Sequence, residues 1–385
     1  GRPIFQNANC FGFVAQDSRE GWAKLLHDAT MCLSMGGGIG VNYSDIRPKD
    51  SPVGRMGGKS SGPLALMQMI NECGRHVMAG GARRSAIWAG LGWQHDDISA
   101  FIRIKDWDPQ IKALKASKYE FPAPLDMTNV SVIIDNKYLQ LLHNGDPTIV
   151  ELHRTICEHM AQTGEPAFLN MSRIQYDDST AVTVNPCCEA TLQNKDSCNL
   201  GSIILPRIRD LSHLEYVTRL AIQFLYNGSV KGDYPTPEIT ETVARNRRIG
   251  LGIMGLHEYM LLHGHRYEWF PELQHLLATW KEVSDDEAIK YANQQNGPIP
   301  ITKRAIAPTG TISIIAETTS GIEPIYCVAY KRRYLKGDKH YFQYVVDPTA
   351  QRFIAAGIPS DQIEDAYQLA QDFERRLSVQ AHVQE

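Results

Sequence analysis

Apolar residues recur along most of the chain at two spacings, one typical of helices and the other of strands. Repeats of three or four positions predict helices at 18–35, 63–79, 95–104, 135–144, 148–162, 208–227, 271–295 and 360–379, with a shorter one opened by Pro235 and Pro237. Short apolar or alternating runs predict strands at 11–14, 85–92, 129–134, 167–169, 182–184, 200–205, 249–253 and 304–307. Strands that alternate with helices are typical of a mainly parallel sheet. The pattern therefore predicts an α/β fold, and it does not separate a barrel from an open sheet.

Composition excludes several classes of protein. The chain has 385 residues, 43% of them hydrophobic, which suffices for a full globular core. Its formal net charge of -4 gives no polycationic signature, so nucleic-acid binding is not predicted. Eight cysteines are too few for a secreted disulfide scaffold, and no signal peptide or apolar run of membrane length is visible. We therefore expect a cytoplasmic protein without membrane attachment.

The segment from Asn185 to Glu189 brings an amide, a thiol and a carboxylate into five positions. Pro186 lacks a backbone N–H and pushes the residue before it into an extended conformation, so we expect an extended loop rather than a central strand. Side chains alternate between the two faces of an extended segment. Asn185, Cys187 and Glu189 should then point one way and Cys188 the other.

Two simpler interpretations of these cysteines stay open. Free cysteine is commonly a buried apolar residue, and each thiol taken alone fits that role. A zinc site is the second, but the usual spacing of roughly two to four residues between cysteine ligands is absent and no histidine lies nearby, so no metal site is predicted. The combination of thiol, amide and carboxylate with a second thiol at Cys198, after a short polar connection, favours catalytic chemistry over packing.

Three loops have the composition of anion-binding segments. The glycine run at 36–38 allows backbone amides to approach a ligand, whereas a simple helix end needs only one glycine. Residues 44–62 place Arg47 and Arg55 among glycine and serine, which suits either phosphate binding or a solvated loop. Residues 308–313 alternate hydroxyl side chains with small residues and fit either an anion nest or an ordinary helix cap.

The cysteine segment resembles the radical-cysteine region of ribonucleotide reductase catalytic subunits of classes I and II. The resemblance rests on N-P-C-x-E at 185–189 and S-C-N-L-G-S at 197–202. Further similar motifs follow in the family's order and cover most of the chain: Asn9-Cys10, the glycine-rich 36–40, Gly80 to Arg84, Asn246 to Gly252 and Ala307 to Ser313. A single motif would be weak support, whereas six in order identify the chain as similar to that family.

The resemblance implies a ten-stranded α/β barrel made of two five-stranded parallel halves, with the radical cysteine on an interior finger loop. We expect one catalytic barrel domain over residues 1–385, with half-barrels at about 1–175 and 176–385 and no amino-terminal regulatory domain of the ATP-cone type. An interior loop suits the chemistry, because a cysteine radical needs water and oxidants excluded.

The reaction implied by the resemblance is the radical reduction of ribonucleoside diphosphates to 2'-deoxyribonucleoside diphosphates for DNA synthesis. Carried over onto this sequence, Cys187 becomes a thiyl radical, Glu189 acts as the base on the 3' hydroxyl and Asn185 binds the ribose. Cys10 and Cys198 supply two electrons and end as a disulfide. An external dithiol reductant of thioredoxin or glutaredoxin type must then reset that redox-active pair.

The resemblance also implies nucleotide contacts, and one position departs from the family pattern. Substrate contacts are implied at Asn9, Gly38, Thr309, Gly310, Thr311 and Ser313. Contacts to an allosteric deoxynucleoside triphosphate effector are implied at Asp17, Arg47, Arg83 and Arg84. The family more commonly has glycine where this chain has Cys188, so a second thiol lies beside the implied radical site.

Side chains alone do not generate a cysteine radical, so the resemblance implies a cofactor. Two sources fit: adenosylcobalamin bound to this chain, or a metal-containing partner subunit that passes the radical through tyrosines. Pro186 and Gly310 are typical of the cobalamin class, whereas the compact length resembles small subunits that use a partner. Of the two we favour the partner subunit. The family also implies a homodimer.

Two other functions stay open. A glycyl-radical enzyme would use a similar barrel and a radical cysteine, but no glycine-radical segment is evident after residue 330. A non-catalytic nucleotide-binding protein would keep the glycine and threonine loops and would make the three cysteines incidental.

Overall fold

The computed structural model describes residues 6–54, 57–77, 85–118, 120–336 and 339–385. Its strands are β1 Cys10–Val14, β2 Gly38–Asn42, β3 Pro52–Val53, β4 Gly58–Lys59, β5 Ile87–Gly92, β6 Thr128–Ile134, β7 Ala167–Asn170, β8 Thr183–Val184, β9 Thr191–Leu192, β10 Asp196–Ile204, β11 Ile249–Met254, β12 Ala329–Lys336 and β13 Lys339–Val346. Its helices are α1 Arg19–Ser34, α2 Pro63–His76, α3 Ile98–Ile102, α4 Pro109–Ser117, α5 Asn136–His143, α6 Pro147–Thr163, α7 Met171–Asp177, α8 Leu211–Lys231, α9 Pro237–Asn246, α10 Leu256–Leu262, α11 Pro271–Gln294, α12 Gly310–Ala316, α13 Pro348–Ala355, α14 Ala366–Leu369 and α15 Phe373–Gln384.

The chain forms two compact units. The first comprises the chain up to Asn199 together with Gly228–Arg248, and the second comprises Leu200–Asn227 and Ile249–Glu385. The backbone therefore passes from the first unit to the second twice, and β10 is divided between them. The predicted half-barrel boundary at about 175 stays a prediction.

The first unit is built on a parallel sheet in the order β1, β2, β5, β6, β7, with β10 antiparallel to β1 on its other side. Helices connect the parallel strands, because parallel neighbours need a long crossover. The strand side chains are buried almost continuously, which is typical of a parallel sheet. Phe11, Ile39 and Val132 lie in one apolar cluster with Leu25 of α1 and Leu66 of α2, so the core of this unit lies between the sheet and these helices.

In the second unit, β11 is the neighbour of β10. Its apolar core joins Leu251 and Ile253 of β11 to Leu277 and Trp280 of the long helix α11. β12 and β13 form a separate antiparallel pair. No helix in the described part of the chain is long and apolar enough to cross a lipid bilayer.

The predicted α/β class is confirmed, and most predicted elements lie within a few residues of the observed ones. α1 begins after Ser18, whose hydroxyl accepts a hydrogen bond from the Gly21 N–H at 2.9 Å and so caps the helix as expected. The ten-strand count stays a prediction, since the largest sheet among the described residues has seven strands.

Two local predictions are wrong, and one pair of strands was missed. Residues 360–379 do not form one helix, because Asp365 and Asp372 each cap a new one, and aspartate side chains compete with a continuous helix by bonding backbone N–H groups. Residues 304–307 form no strand and make only a single bridge, from Arg304 to Leu251. The pair of β12 and β13 was not predicted.

Candidate active site

The predicted redox cysteines meet across two neighbouring strands. β1 and β10 run antiparallel, and their register places Cys10 opposite Cys198. Directly opposed residues of an antiparallel pair have Cα atoms about 4.5 to 5.5 Å apart, which lies within the range that disulfides span. Both cysteines are buried. The strand register therefore allows a reversible disulfide between residues that are far apart in sequence.

The segment from Asn185 to Glu189, which was predicted to carry the radical cysteine, is a turn, so the predicted extended loop is wrong. The Cys188 N–H donates to the Asn185 carbonyl oxygen at 3.1 Å, and Cys188 has a left-handed φ of 68°. β8 and β9 pair antiparallel on either side, and the Asn185 N–H extends that pairing by donating to the Ala190 carbonyl at 3.1 Å. Because this pairing requires the chain to reverse between the two strands, the alternation of side chains does not apply there.

Two glycines of β2 let the turn lie against the sheet. A Cβ on Gly40 would be 1.8 Å from the carbonyl oxygen of Val184, and a Cβ on Gly38 would be 2.6 Å from Cγ of Pro186. No side chain fits at such distances, so any other residue would push the turn away from the strand.

Asn185 contacts the cysteine pair through its side chain. Its side-chain nitrogen donates to Sγ of Cys10 at 3.2 Å. Its amide oxygen accepts from the Ala190 N–H at 3.0 Å, and the residue is fully buried. Asn185 thus joins Cys10 to the turn that carries Cys187 and Glu189, and the catalytic roles of these residues stay a prediction.

The Glu189 carboxylate is placed to accept a proton. Burial raises its pKa above the ordinary value, while its own backbone N–H and the Asn185 side chain oppose that shift. Within the described part of the chain, its buried Oε2 atom has no hydrogen-bond partner. Buried polar atoms are rarely left unpaired, and a raised pKa makes a carboxylate a better base near neutral pH. Both features fit a group that acts on a ligand.

The Cys187 thiol lies at the exposed side of this site. Partial desolvation raises its pKa, and the nearby Glu189 charge adds to the shift. The group therefore stays a neutral S–H at neutral pH, which is the form from which a hydrogen atom can be removed.

The Cys198 thiol is also kept neutral. Burial raises its pKa well above the ordinary value, and the neighbouring Cys10 and Asp196 add to that shift while Arg248 opposes it. A neutral thiol can deliver hydrogen as well as electrons, which a reducing pair requires.

A buried ion cluster lies beside the cysteine strand, and sequence reasoning missed it. Arg248 is fully buried, its Nε donates to Oδ2 of Asp196 at 2.6 Å, and its Nη1 pairs with Asp178. Asn246 also donates to Asp196 at 2.7 Å, and the Thr191 hydroxyl donates to Asp178 at 2.7 Å. The cluster ties the start of β10 to the segments on both sides of the cysteine turn. The family motif at 246–252, which contains Arg248, was the only sequence signal for this cluster. Nothing in the sequence indicates that Asp178 and Asp196 are the partners of Arg248.

Two predicted substrate contacts lie beside the cysteine pair. The Gly38 N–H donates to the Asn9 carbonyl at 2.7 Å, and the register of β1 with β2 places Cys10 beside Gly38. Asn9 is exposed and Gly38 is buried. Their contact with a substrate stays a prediction.

Two of the predicted effector contacts pair with each other. Nε of Arg47 lies 2.6 Å from Oδ2 of Asp17, and its Nη1 donates to the Pro52 carbonyl at 3.3 Å. The two side chains are 38% and 31% exposed, so the pair remains open to a ligand. The other two predicted contacts, Arg83 and Arg84, lie outside the described residues.

In the second unit, the hydroxyl-rich motif is a folded turn that leads into α12. The Thr309 hydroxyl accepts from the Gly321 N–H at 2.7 Å, the Ser313 hydroxyl bonds that of Ser320 at 2.8 Å, and Thr309 and Ser313 are buried. These two hydroxyls have hydrogen-bond partners within the turn, and their contact with a substrate phosphate stays a prediction. Thr311 is exposed, and its phosphate contact stays a prediction.

Comparison with known proteins gives the same family along most of the chain. A family model described as "Ribonucleotide reductase, barrel domain" matches residues 8–147, 134–269 and 277–385. A vitamin B12-dependent ribonucleoside-diphosphate reductase of Mycobacterium tuberculosis is 29% identical over 367 residues, which cover 84% of this chain and 51% of the relative. A putative adenosylcobalamin-dependent ribonucleoside-triphosphate reductase of Mycobacterium phage D29 is 28% identical over 385 residues, with 83% and 52% covered. The chain thus spans about half the length of these relatives.

Among solved structures, the class Id ribonucleotide reductase alpha subunit of Actinobacillus ureae is similar with a TM-score of 0.68 and 19% sequence identity. The similarity covers 84% of this chain and 64% of that subunit, and it supports the fold. Because the family model matches well over half of the sequence, the chain belongs to the ribonucleotide reductase barrel-domain family.

Proposed function

We propose that this chain is the catalytic barrel of a ribonucleotide reductase that converts ribonucleoside diphosphates to 2'-deoxyribonucleoside diphosphates. The observation that carries the proposal is the opposition of Cys10 and Cys198 across β1 and β10. Asn185, in the same short segment as Cys187 and Glu189, donates to Sγ of Cys10. Membership of the family favours this function over a glycyl-radical enzyme or a non-catalytic nucleotide-binding protein.

The proposed reaction balances with the groups of this site. A radical on Cys187 takes the hydrogen atom from C3' of the ribose and forms an S–H bond. Glu189 accepts the proton of the 3' hydroxyl, and the 2' hydroxyl takes a proton from one thiol of the Cys10–Cys198 pair and leaves as water. The other thiol gives a hydrogen atom to C2', and the second electron of the pair, with the proton held by Glu189, restores the 3' hydroxyl as the pair becomes a disulfide. Cys187 then returns its hydrogen atom to C3' and is a radical again. The net change is one C–O bond replaced by C–H for each disulfide formed.

A radical source has to act on Cys187. Relatives named as vitamin B12-dependent or adenosylcobalamin-dependent reductases support adenosylcobalamin for this chain, and they do not support the predicted preference for a metal-containing partner subunit. The exposure of Cys187 fits a group that approaches the turn at 185–188 from outside the chain. Adenosylcobalamin, when bound, would supply the one-electron oxidation of that thiol.

The proposal also specifies the substrate class and the binding partners of the protein. Relatives are named as diphosphate and as triphosphate reductases, and we propose the diphosphate. We also propose that a deoxynucleoside triphosphate binds at the pair of Asp17 and Arg47, that the protein is a homodimer, and that a thioredoxin-like dithiol resets the disulfide.

A single-turnover assay tests the function. The full-length protein, reduced and then freed of dithiol, is given adenosylcobalamin and each of the ribonucleoside diphosphates in turn. We expect one Cys10–Cys198 disulfide for each deoxynucleotide formed, measured by peptide mass spectrometry and product chromatography. Cys10→Ser should stop turnover, because a lone Cys198 thiol does not complete the two-electron step.

Three outcomes would contradict parts of this proposal. Product without that disulfide would remove the redox roles of the pair. Product from triphosphates alone would overturn the diphosphate assignment. Nucleotide binding with no product, either with the cobalamin or with a metal-containing partner subunit, would favour the non-catalytic alternative.

Thr311→Val tests the proposed phosphate contact. The substitution removes one exposed hydroxyl at nearly constant volume, beside the open position of Gly310. Since a charge-assisted hydrogen bond contributes about 1.5 to 3 kcal/mol, we expect substrate Kd to rise about tenfold, the lower end of that range. Binding of the effector should not change. Thr279→Val in α11 is the matched control and should leave substrate binding unchanged. An equal loss of substrate and effector binding in Thr311→Val would mean that the substitution harmed the fold, and no loss would place the phosphates elsewhere.

A further inference from the structure

The second thiol of the turn, Cys188, has no role in the proposed reaction, and its backbone is strained. Its φ of 68° lies in the left-handed region, which residues other than glycine rarely adopt. Glycine, the more common family residue at this position, adopts it without steric cost. Contacts in this protein therefore have to compensate for the cysteine.

The side chain of Cys188 packs against an apolar cluster whose tryptophan is anchored by a hydrogen bond. The indole Nε1–H of Trp88 donates to Oγ of Ser131 at 2.9 Å. The Cys188 thiol packs against the cluster that includes Trp88 and Ile133. The conformation of Cys188 is thus fixed through its side chain.

Two neighbouring parallel strands supply this support. Trp88 on β5 is fully buried, and Ser131 on β6 is 3% exposed. On β6, Asn129 also donates its side-chain N–H to the Pro186 carbonyl at 3.3 Å. The sheet therefore holds the turn at two points, one through the backbone of Pro186 and the other through the side chain of Cys188.

We propose that Cys188 is a positioning residue for Cys187: its side chain, packed against the cluster of Trp88 that Ser131 anchors, locks the left-handed corner of the turn that presents the Cys187 thiol. An effect of this lock on turnover rests on the proposed function, whereas its effect on the accessibility of Cys187 does not. Cys188 is partly buried while Cys187 is exposed, so the two adjacent thiols differ in accessibility. Burial also raises the pKa of Cys188 to about 12, which keeps its thiol neutral.

A double-mutant cycle on the full-length protein tests the lock through Ser131→Ala, Cys188→Gly and the two combined. The first measurement is the rate at which iodoacetamide alkylates Cys187, resolved by peptide mass spectrometry, and the second is nucleotide reduction. In Ser131→Ala we expect alkylation to rise, and turnover to fall, by about two- to tenfold, the effect of losing one buried hydrogen bond. Cys188→Gly should match the wild type in both, because glycine takes the turn conformation unaided.

The combined variant shows whether Ser131 acts on Cys187 through the side chain at position 188. Once position 188 is glycine, Ser131→Ala should have no further effect on either rate. Ser284→Ala, which removes another buried serine that donates to a backbone carbonyl, is the matched control and should change neither. Thermal unfolding of each variant checks that the fold persists.

Two results would overturn the proposal. If Ser131→Ala acts equally with cysteine or glycine at 188, Ser131 does not act through Cys188. If Cys188→Gly stops turnover while alkylation of Cys187 is unchanged, Cys188 takes part in the chemistry itself. The alkylation measurement tests the lock even if the wild type reduces no nucleotide, an outcome that would refute only the proposed function.

Discussion

Cys187→Ser is expected to abolish nucleotide reduction and to leave nucleotide binding intact. A thiol can form an accessible radical and a hydroxyl cannot, while the serine is close in size and lies at an exposed position. Turnover should fall below about 1% of wild type, which corresponds to at least about 2.7 kcal/mol in the barrier. The rate of deoxynucleotide formation and the Kd of the nucleotide, measured on the same preparation, check the two parts of this expectation.

Cys157→Ser, at an exposed thiol of α6, is the matched control and should keep full turnover. Residual activity of the Cys187 variant above about 1% would place the radical on another residue, and Cys188 would then be the first to examine. A parallel loss of nucleotide binding would mean that the substitution disturbed the turn and not only the chemistry.

Arg248→Met is expected to cause the largest loss of stability among the substitutions considered. The fully buried guanidinium pairs with Asp178 and Asp196, so its removal leaves two buried carboxylates without their cation. Breaking a buried ion pair by removing one partner typically costs about 3 to 5 kcal/mol. Chemical denaturation should show that decrease in the free energy of unfolding. Arg248→Lys should be intermediate, because an ammonium group does not bond two carboxylates as a guanidinium does.

Arg245→Met is the matched control for Arg248→Met. Arg245 lies three residues earlier, is exposed, and donates to Gln193 at 3.3 Å, so its loss should cost at most about 0.5 kcal/mol. Equal losses in the two variants would contradict the importance of the buried cluster.

The stabilisation from the cluster should also depend on pH. Burial alone would raise the pKa of Asp178, but hydrogen bonds from Arg248 and Thr191 outweigh it and hold the pKa below its ordinary value. A carboxyl whose pKa is lower in the folded state stabilises the protein above its unfolded pKa of about 4 and loses that contribution as the pH falls further. The difference in unfolding free energy between wild type and Arg248→Met should therefore shrink in acid.

Local signals in the sequence were enough for much of the fold and for the choice of candidate site residues. Helix α1 could be placed because the Ser18 cap and the apolar repeat after it act within a few residues. Cys187 and Glu189 could be singled out because their chemical groups lie together in one short segment. Local rules failed where pairing between strands determines the backbone conformation. Pro186 indicated an extended loop, but the pairing of β8 with β9 imposes a turn.

The sequence by itself thus determined the α/β class, most helices and strands, and the residue types that carry the proposed chemistry, because periodicity and motif spacing are local properties. Only the tertiary structure decided that Cys10 lies opposite Cys198, that Arg248 is buried between two aspartates, and that the Thr309 hydroxyl stabilises its own turn. Strand register, burial and hydrogen-bond partners depend on contacts between residues far apart in the chain, and no local pattern contains that information.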